Sequence, residues 1–145
     1  MFQFTVQAAK HKNVDAVCRI SNTVLNSGLP HESLKKLYFD IIQDVEQIIM
    51  IAVNSGHTVG FAHARRVKDL VCGCYAELVT IALLPYYQRR GGGTSLMFGI
   101  EQWSRQMLTG DLRCFPKTDD PAVDRLLEGC GYIQNSSGVF EKTLF

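Results

Sequence analysis

No Cys-x-x-Cys pair occurs in this chain, and its five cysteines (Cys18, Cys72, Cys74, Cys114 and Cys130) are odd in number and scattered. A disulfide-stapled scaffold or a structural zinc module would be patterned otherwise, so buried, reduced thiols and no metal are expected. Neither sign of charge is in excess. Fifteen Lys plus Arg stand against fourteen Asp plus Glu, for a net charge of +1. Binding to nucleic acid through bulk electrostatics is therefore not expected. No apolar run approaches membrane-spanning length, and the short alternating start Phe2–Gln7 is unlike a secretory leader. An intracellular protein, nuclear or cytoplasmic and free of membrane, is the expectation. Internal repeats, linkers and low-complexity tracts are also missing. With 145 residues, 46% of them hydrophobic, residues 1–145 should form a single globular domain.

Phe2, Phe4 and Val6 alternate with polar residues as in a half-buried strand. Asn13 can cap a helix carrying Val14, Val17, Ile20 and Val24, which should end near Gly28. A second helix starts at Pro30 and carries Leu34, Leu37, Tyr38, Ile41 and Val45. Gln47–Val53 and Thr58–Arg66 read as a hairpin around Asn54-Ser55-Gly56-His57, with Val59, Phe61, His63 and Arg65 sharing a face. A long strand, Cys72–Leu84, ends at Pro85. Leu96, Ile100, Trp103 and Met107 form a strong helical stripe closed by Gly110. Leu112–Phe115 is a short strand. Asp119 or Asp120 can cap a last helix from Pro121 to Gly131, followed by one or two strands in Tyr132–Phe145. The order is β-α-α-β-β-β-α-β-α-β, an α/β fold with a mixed, mostly antiparallel sheet and helices on both faces.

The informative segment is Leu83-Leu84-Pro85-Tyr86-Tyr87-Gln88-Arg89-Arg90-Gly91-Gly92-Gly93-Thr94-Ser95-Leu96, a strand running through a glycine-rich turn into a helix. Residues without Cβ let backbone approach an anion, and the first N–H groups of a helix lack internal partners. With the helix dipole, this suits a phosphate or pyrophosphate. A Walker loop would need a Lys that is missing, and a dinucleotide fingerprint would need glycine where Leu96 stands. Three glycines opening a helix cost roughly 1 kcal/mol each without a ligand to meet them.

Gln88-Arg89-Arg90-Gly91-Gly92-Gly93 resembles the Q/R-x-x-G-x-G/A motif of the GNAT acetyltransferases, and the element order resembles theirs along nearly the whole chain. The likeness implies a GNAT fold and an acetyl-CoA cosubstrate. It implies that Gln88, Arg89, Arg90, Gly91, Gly92, Gly93 and Thr94 hold the pyrophosphate, and that Ile81, Ala82 and Leu83 line the acyl end. Three stretches are similar to the PCAF-type histone lysine acetyltransferases: Pro30–Asp40, Ala76–Leu83 and Gly91–Met97. This second likeness implies a protein or peptide acceptor such as a histone tail, partner subunits and a nuclear address.

Glu77 is the only acid in Cys72–Leu84. Strict alternation puts it on a face with Tyr75, Val79 and Ile81, where lost hydration would favour its protonated form. Pairing with Arg65 or Arg66 on the neighbouring strand is the competing reading of that position. The resemblance places Glu77 on the catalytic glutamate of the PCAF-type enzymes, as the base that frees the attacking amine. It also implies an oxyanion-holding backbone N–H near Ile81–Leu83. Leu127 stands where GNAT enzymes acting on small amines or N-termini carry a tyrosine acid, which favours the histone-type branch. A GNAT acetylating a small amine or an N-terminus, and a non-catalytic acetyl-CoA-binding subunit, are the alternatives.

Overall fold

The computed structural model describes residues 3–115 and 120–145. The expected strand residue Phe2 and the candidate cap Asp119 therefore lie outside the described residues. β1 (Thr5–Ala8) precedes α1 (Val14–Leu25) and α2 (His31–Gln43). Asn13 holds the N-cap position of α1, and Asn26 ends that helix in the left-handed conformation, at φ 51°, before the expected Gly28. Pro30 precedes α2 in an extended conformation rather than occupying its first turn. The hairpin strands are β2 (Gln47–Asn54) and β3 (His57–Asp69), and the long strand is β4 (Gly73–Leu83). β3 runs past the expected Arg66 to Asp69, because Lys68 and Asp69 pair with Cys74 and Gly73. The stripe helix is α3 (Gly92–Gln106), and β5 (Asp111–Cys114) follows. α4 (Pro121–Gly129) is capped by Asp120, whose carboxylate accepts from the Ala122 N–H at 2.9 Å. β6 (Ile133–Gln134) and β7 (Phe140–Thr143) close the chain.

The strands form one sheet in the order β1-β2-β3-β4-β5-β7-β6. Every neighbouring pair is antiparallel except β4 and β5, which run parallel. α1 and α2 cover one face: Val17, Ile20 and Tyr38 pack on Ile49, Ile51, Phe61 and Ala82. α3 and α4 cover the other, where Leu96, Met97, Ile100, Trp103 and Leu127 pack on Ala62, Ala64, Ala76 and Leu78. Burying both faces is what a sheet with a parallel step requires. Among the described residues no helix is long and apolar enough to cross a membrane.

Two bulges correct the simple alternation read from the sequence. Ala52 faces Gly60 and Val53 faces Thr58, so Val59 is an extra residue on β3 and joins the α3 core while Phe61 joins the α1 core. Ala64 faces Leu78 and His63 faces Thr80, so Val79 is an extra residue on β4. Ile81 therefore packs toward α3, parted from Glu77, which lies opposite Arg65 on the α1 face. A bulge reverses which residues share a face, and nothing in the local alternation marks it. At Gly60 the strands come close: a Cβ there would lie 2.7 Å from the Ala82 carbonyl oxygen.

Two buried tyrosines tie the layers. Tyr38 donates to the Lys10 carbonyl at 2.6 Å, and Tyr132 donates to Glu101 Oε2 at 2.8 Å, where Lys142 Nζ also meets Glu101 Oε1 at 3.1 Å. Tyr132 thus serves packing and couples α3 to the last strands. Burial pushes the Tyr38 phenol up to about 12, and burial followed by the Glu101 hydrogen bond raises Tyr132 as well. The unfolded chain ionises near pH 10 while these folded phenols hold their protons. Stability should be complete below pH 10 and fall as pH rises from there toward 12. The slope is about 1.4 kcal/mol per pH unit for each phenol. Urea titrations at pH 9, 10 and 11 check this, and Tyr38→Phe should flatten the slope.

Candidate active site

β4 and β5 are hydrogen-bonded through only two residue pairs, Ala76 with Leu112 and Glu77 with Arg113. Beyond those rungs the strands part. Leu78–Leu83 line one arm of the opening and Cys114 with Phe115 the other, around a groove of about 760 Å³. The bulge at Val79 begins where the pairing stops, which turns the end of β4 away from β5.

One end of the groove is closed by the turn into α3. Arg89 and Gly91 both adopt left-handed backbone, at φ 62° and 94°. Glycine takes that conformation without strain, and a Cβ on Gly91 would meet no atom within 4 Å. The Ser95 N–H is the first to find a helical acceptor, the Gly91 carbonyl, at 3.0 Å. The N–H groups of Gly92, Gly93 and Thr94 therefore have no place in the helix ladder, and no side chain caps them. Together with the helix dipole they present a positive, chain-wide anion cradle.

Of the residues expected here, Gln88, Arg89, Gly91, Gly93 and Thr94 line the groove, as do Ile81, Ala82 and Leu83. Gln88 also braces the turn, donating from Nε2 to the Leu83 carbonyl at 2.9 Å. Arg90 is not part of the lining: its Nε donates to the Tyr86 carbonyl at 3.0 Å and its guanidinium lies over the Tyr86 ring. Gly92 is buried beneath the turn, where a Cβ would come within 3.0 Å of Leu83 and 3.2 Å of Phe4. Its smallness serves packing.

The strand amides are arranged by simple alternation. Leu84 donates to the Val59 carbonyl at 2.9 Å. In an antiparallel ladder the intervening residues face away, so the N–H groups of Leu83 and Ile81 point from β3 toward the groove. The N–H of Ala82 turns to β3 instead.

Glu77 sits at the last rung joining β4 to β5, on the α1 face, and is 7% exposed. Arg65 donates to its Oε1 from Nη2 at 2.9 Å and from Nε at 3.1 Å. The carboxylate is thus held as an ion pair, the competing reading of that position, and is not in the groove lining. Both hydrogen bonds fall on Oε1, which leaves Oε2 as the oxygen that can take a proton.

Sequence reasoning missed Val24 and Leu25 at the end of α1 and Phe115 beyond β5, all of which line the groove. No motif marks them, because only the tertiary crossing of α1 over the parted strands brings them there. Among the cysteines Cys72 is exposed and only Cys18 is fully buried, so the expected uniform burial of thiols does not hold. No cluster of three or more metal-ligating side chains occurs among the described residues.

An anion cradle at a strand-to-helix turn thus opens onto a groove between parted parallel strands of an α/β fold. The chain belongs to the Acetyltransferase (GNAT) family, whose sequence pattern it matches over residues 14–132. No curated protein matches the sequence. Its fold is similar to that of the aminoglycoside N-acetyltransferase AAC(6')-Iy in complex with CoA. The TM-score there is 0.85 at 16% identity, over 94% of this chain and 91% of that one. The aminoglycoside 6'-N-acetyltransferase AAC(6')-IG from Acinetobacter haemolyticus gives 0.81 at 15% identity, over 91% and 92%. The protein yncA from Salmonella typhimurium, with its cofactor acetyl-CoA, gives 0.82 at 14% identity, over 98% and 94%. The protein is an acetyltransferase of this family, acetyl-CoA is its cosubstrate, and the free amides of the turn fit the diphosphate of that carrier.

Proposed function

We infer that the protein transfers acetyl from acetyl-CoA to the amine of a small molecule. One observation carries the reading: the groove passes through the sheet, from the amide cradle of α3 on one face to Val24 and Leu25 of α1 on the other. A carrier can lie along one side while an amine enters from the opposite side. The aminoglycoside acetyltransferases among its fold neighbours support a small-molecule acceptor.

Acetyl-CoA supplies an activated acyl group, and the residues have three tasks. Gly91–Thr94, with Gln88 and Arg89 beside them, hold the carrier's diphosphate. The N–H groups of Ile81 and Leu83 meet the negative charge that develops on the acyl oxygen. Glu77 receives the proton of the attacking amine through Oε2, directly or by way of a water. Leu127, where a tyrosine acid stands in other branches, is 1% exposed and belongs to the core.

A second reading, a protein lysine as acceptor, is favoured by the likeness of Ala76–Leu83 to the histone enzymes. Release of CoA thiol from acetyl-CoA, measured over small amines, an N-terminal peptide and a histone-tail peptide, separates the two. Turnover of small amines exceeding that of either peptide is expected. Preference for the histone-tail peptide would establish the lysine reading, and calorimetry without heat from CoA would remove both.

A further inference from the structure

The two mouths of the groove differ in chemistry. The α3 mouth offers backbone amides and Arg89. At the α1 mouth the rim is built by Val24, Leu25 and Phe115. Leu112 and Cys114 pack toward α3, so alternation along β5 turns Arg113 and Phe115 to the α1 face. Tyr75 meets both there, with its ring centroid 6.4 Å from that of Phe115 and 4.4 Å from the Arg113 guanidinium carbon. Leu25 remains 40% exposed at this rim although α1 buries most of its apolar stripe. An apolar and aromatic surface therefore lies uncovered on the face where Glu77 stands.

The strand carboxylates nearest this mouth are already matched. Among the described residues, the carboxylates of β4, β5 and β7 each have an arginine: Glu77 meets Arg65 at 2.9 Å, and Arg113 meets Asp111 at 2.6 Å and Glu141 at 3.8 Å. A polycation entering at this mouth would shed hydration against carboxylates that already have arginine partners; the groove's other carboxylates, Asp120 and Asp124, stand on α4 at the opposite mouth. An apolar group would cover Leu25 and Phe115 and gain by leaving water.

Resting on the acetyl-transfer reading above, the geometry points to a specific acceptor class. The acceptor is a monoamine bearing an aromatic or branched apolar group, seated on Val24, Leu25 and Phe115 with its nitrogen directed at the opening beside Val79. Polyhydroxylated polyamines, the acceptors named for the fold neighbours, do not suit this rim.

The test is steady-state CoA release by the full chain at saturating acetyl-CoA, with phenethylamine, isoamylamine, ethanolamine, spermidine and an aminoglycoside as acceptors. The kcat/KM for the first two should exceed that for the others by at least about tenfold, the discrimination a few buried carbons supply. Leu25→Asp, at a half-exposed position where folding tolerates a charge, should raise KM for phenethylamine about tenfold and narrow the gap to spermidine. Phe115→Ala should raise the same KM while acetyl-CoA affinity holds. Equal or better turnover of spermidine or the aminoglycoside overturns the acceptor class, as does an unchanged KM in both variants. Acetyl-CoA binding with no amine acetylated at all would instead sink the transfer reading beneath it.

Discussion

Glu77→Gln is expected to lower turnover near pH 7 by about a hundredfold or more while leaving CoA affinity unchanged. A free alkylamine has a pKa near 10.4, so at neutral pH only about one molecule in a few thousand can attack without help. Glutamine keeps the shape of the side chain, and its carbonyl oxygen can still accept from Arg65, whose two hydrogen bonds fall on a single oxygen. What it cannot do is take a proton. The variant's rate should therefore climb almost tenfold per pH unit between 7 and 9, following the neutral fraction of the amine, while the parent rises more gently. Melting temperatures close to parent would show that the fold survives. Turnover unchanged at pH 7 would take Glu77 out of the reaction and leave it as the structural partner of Arg65.

The second large effect is expected at Gly91. Its φ of 94° lies in the region that β-branched residues adopt only under strain, and its Cβ direction is open space. The Cβ of Gly91→Val therefore meets no neighbour, and the penalty acts through the backbone, at about 1–2 kcal/mol. The chain can relieve it by rotating the turn, which swings the amides of Gly92 and Gly93 off the diphosphate. A hydrogen bond to a charged group contributes about 1.5–3 kcal/mol, so misdirecting one should weaken CoA by roughly ten- to a hundredfold. Calorimetry with CoA reads this directly, and a melting temperature only a few degrees lower would separate it from unfolding. Parent-like affinity would mean that the carrier's phosphates lie elsewhere.

Much of this architecture could be read from periodicity and punctuation. Of the stripe Leu96, Ile100, Trp103 and Met107, the first three are buried and Met107 lies half-buried just past the end of α3; Asp120, one of the two candidates, caps α4. The glycine turn was legible because three residues without Cβ at a helix start have few other uses. The faces near the site were not. Val59 and Val79 look like ordinary strand residues, and only pairing with a neighbour reveals that each is supernumerary. The Arg65–Glu77 pair needed the cross-strand register, which the sequence leaves open between Arg65 and Arg66. Leu25 and Phe115 reach the groove from opposite ends of the chain, a juxtaposition that local pattern cannot encode.

The two-rung seam between β4 and β5 has a mechanical meaning. It divides the sheet into a four-stranded plate and a three-stranded plate, clasped by α3 and by the buried Glu101 cluster rather than by a continuous ladder. A carrier bound in the seam would add contacts that the backbone withholds, so the loaded protein should open along this line less readily than the empty one.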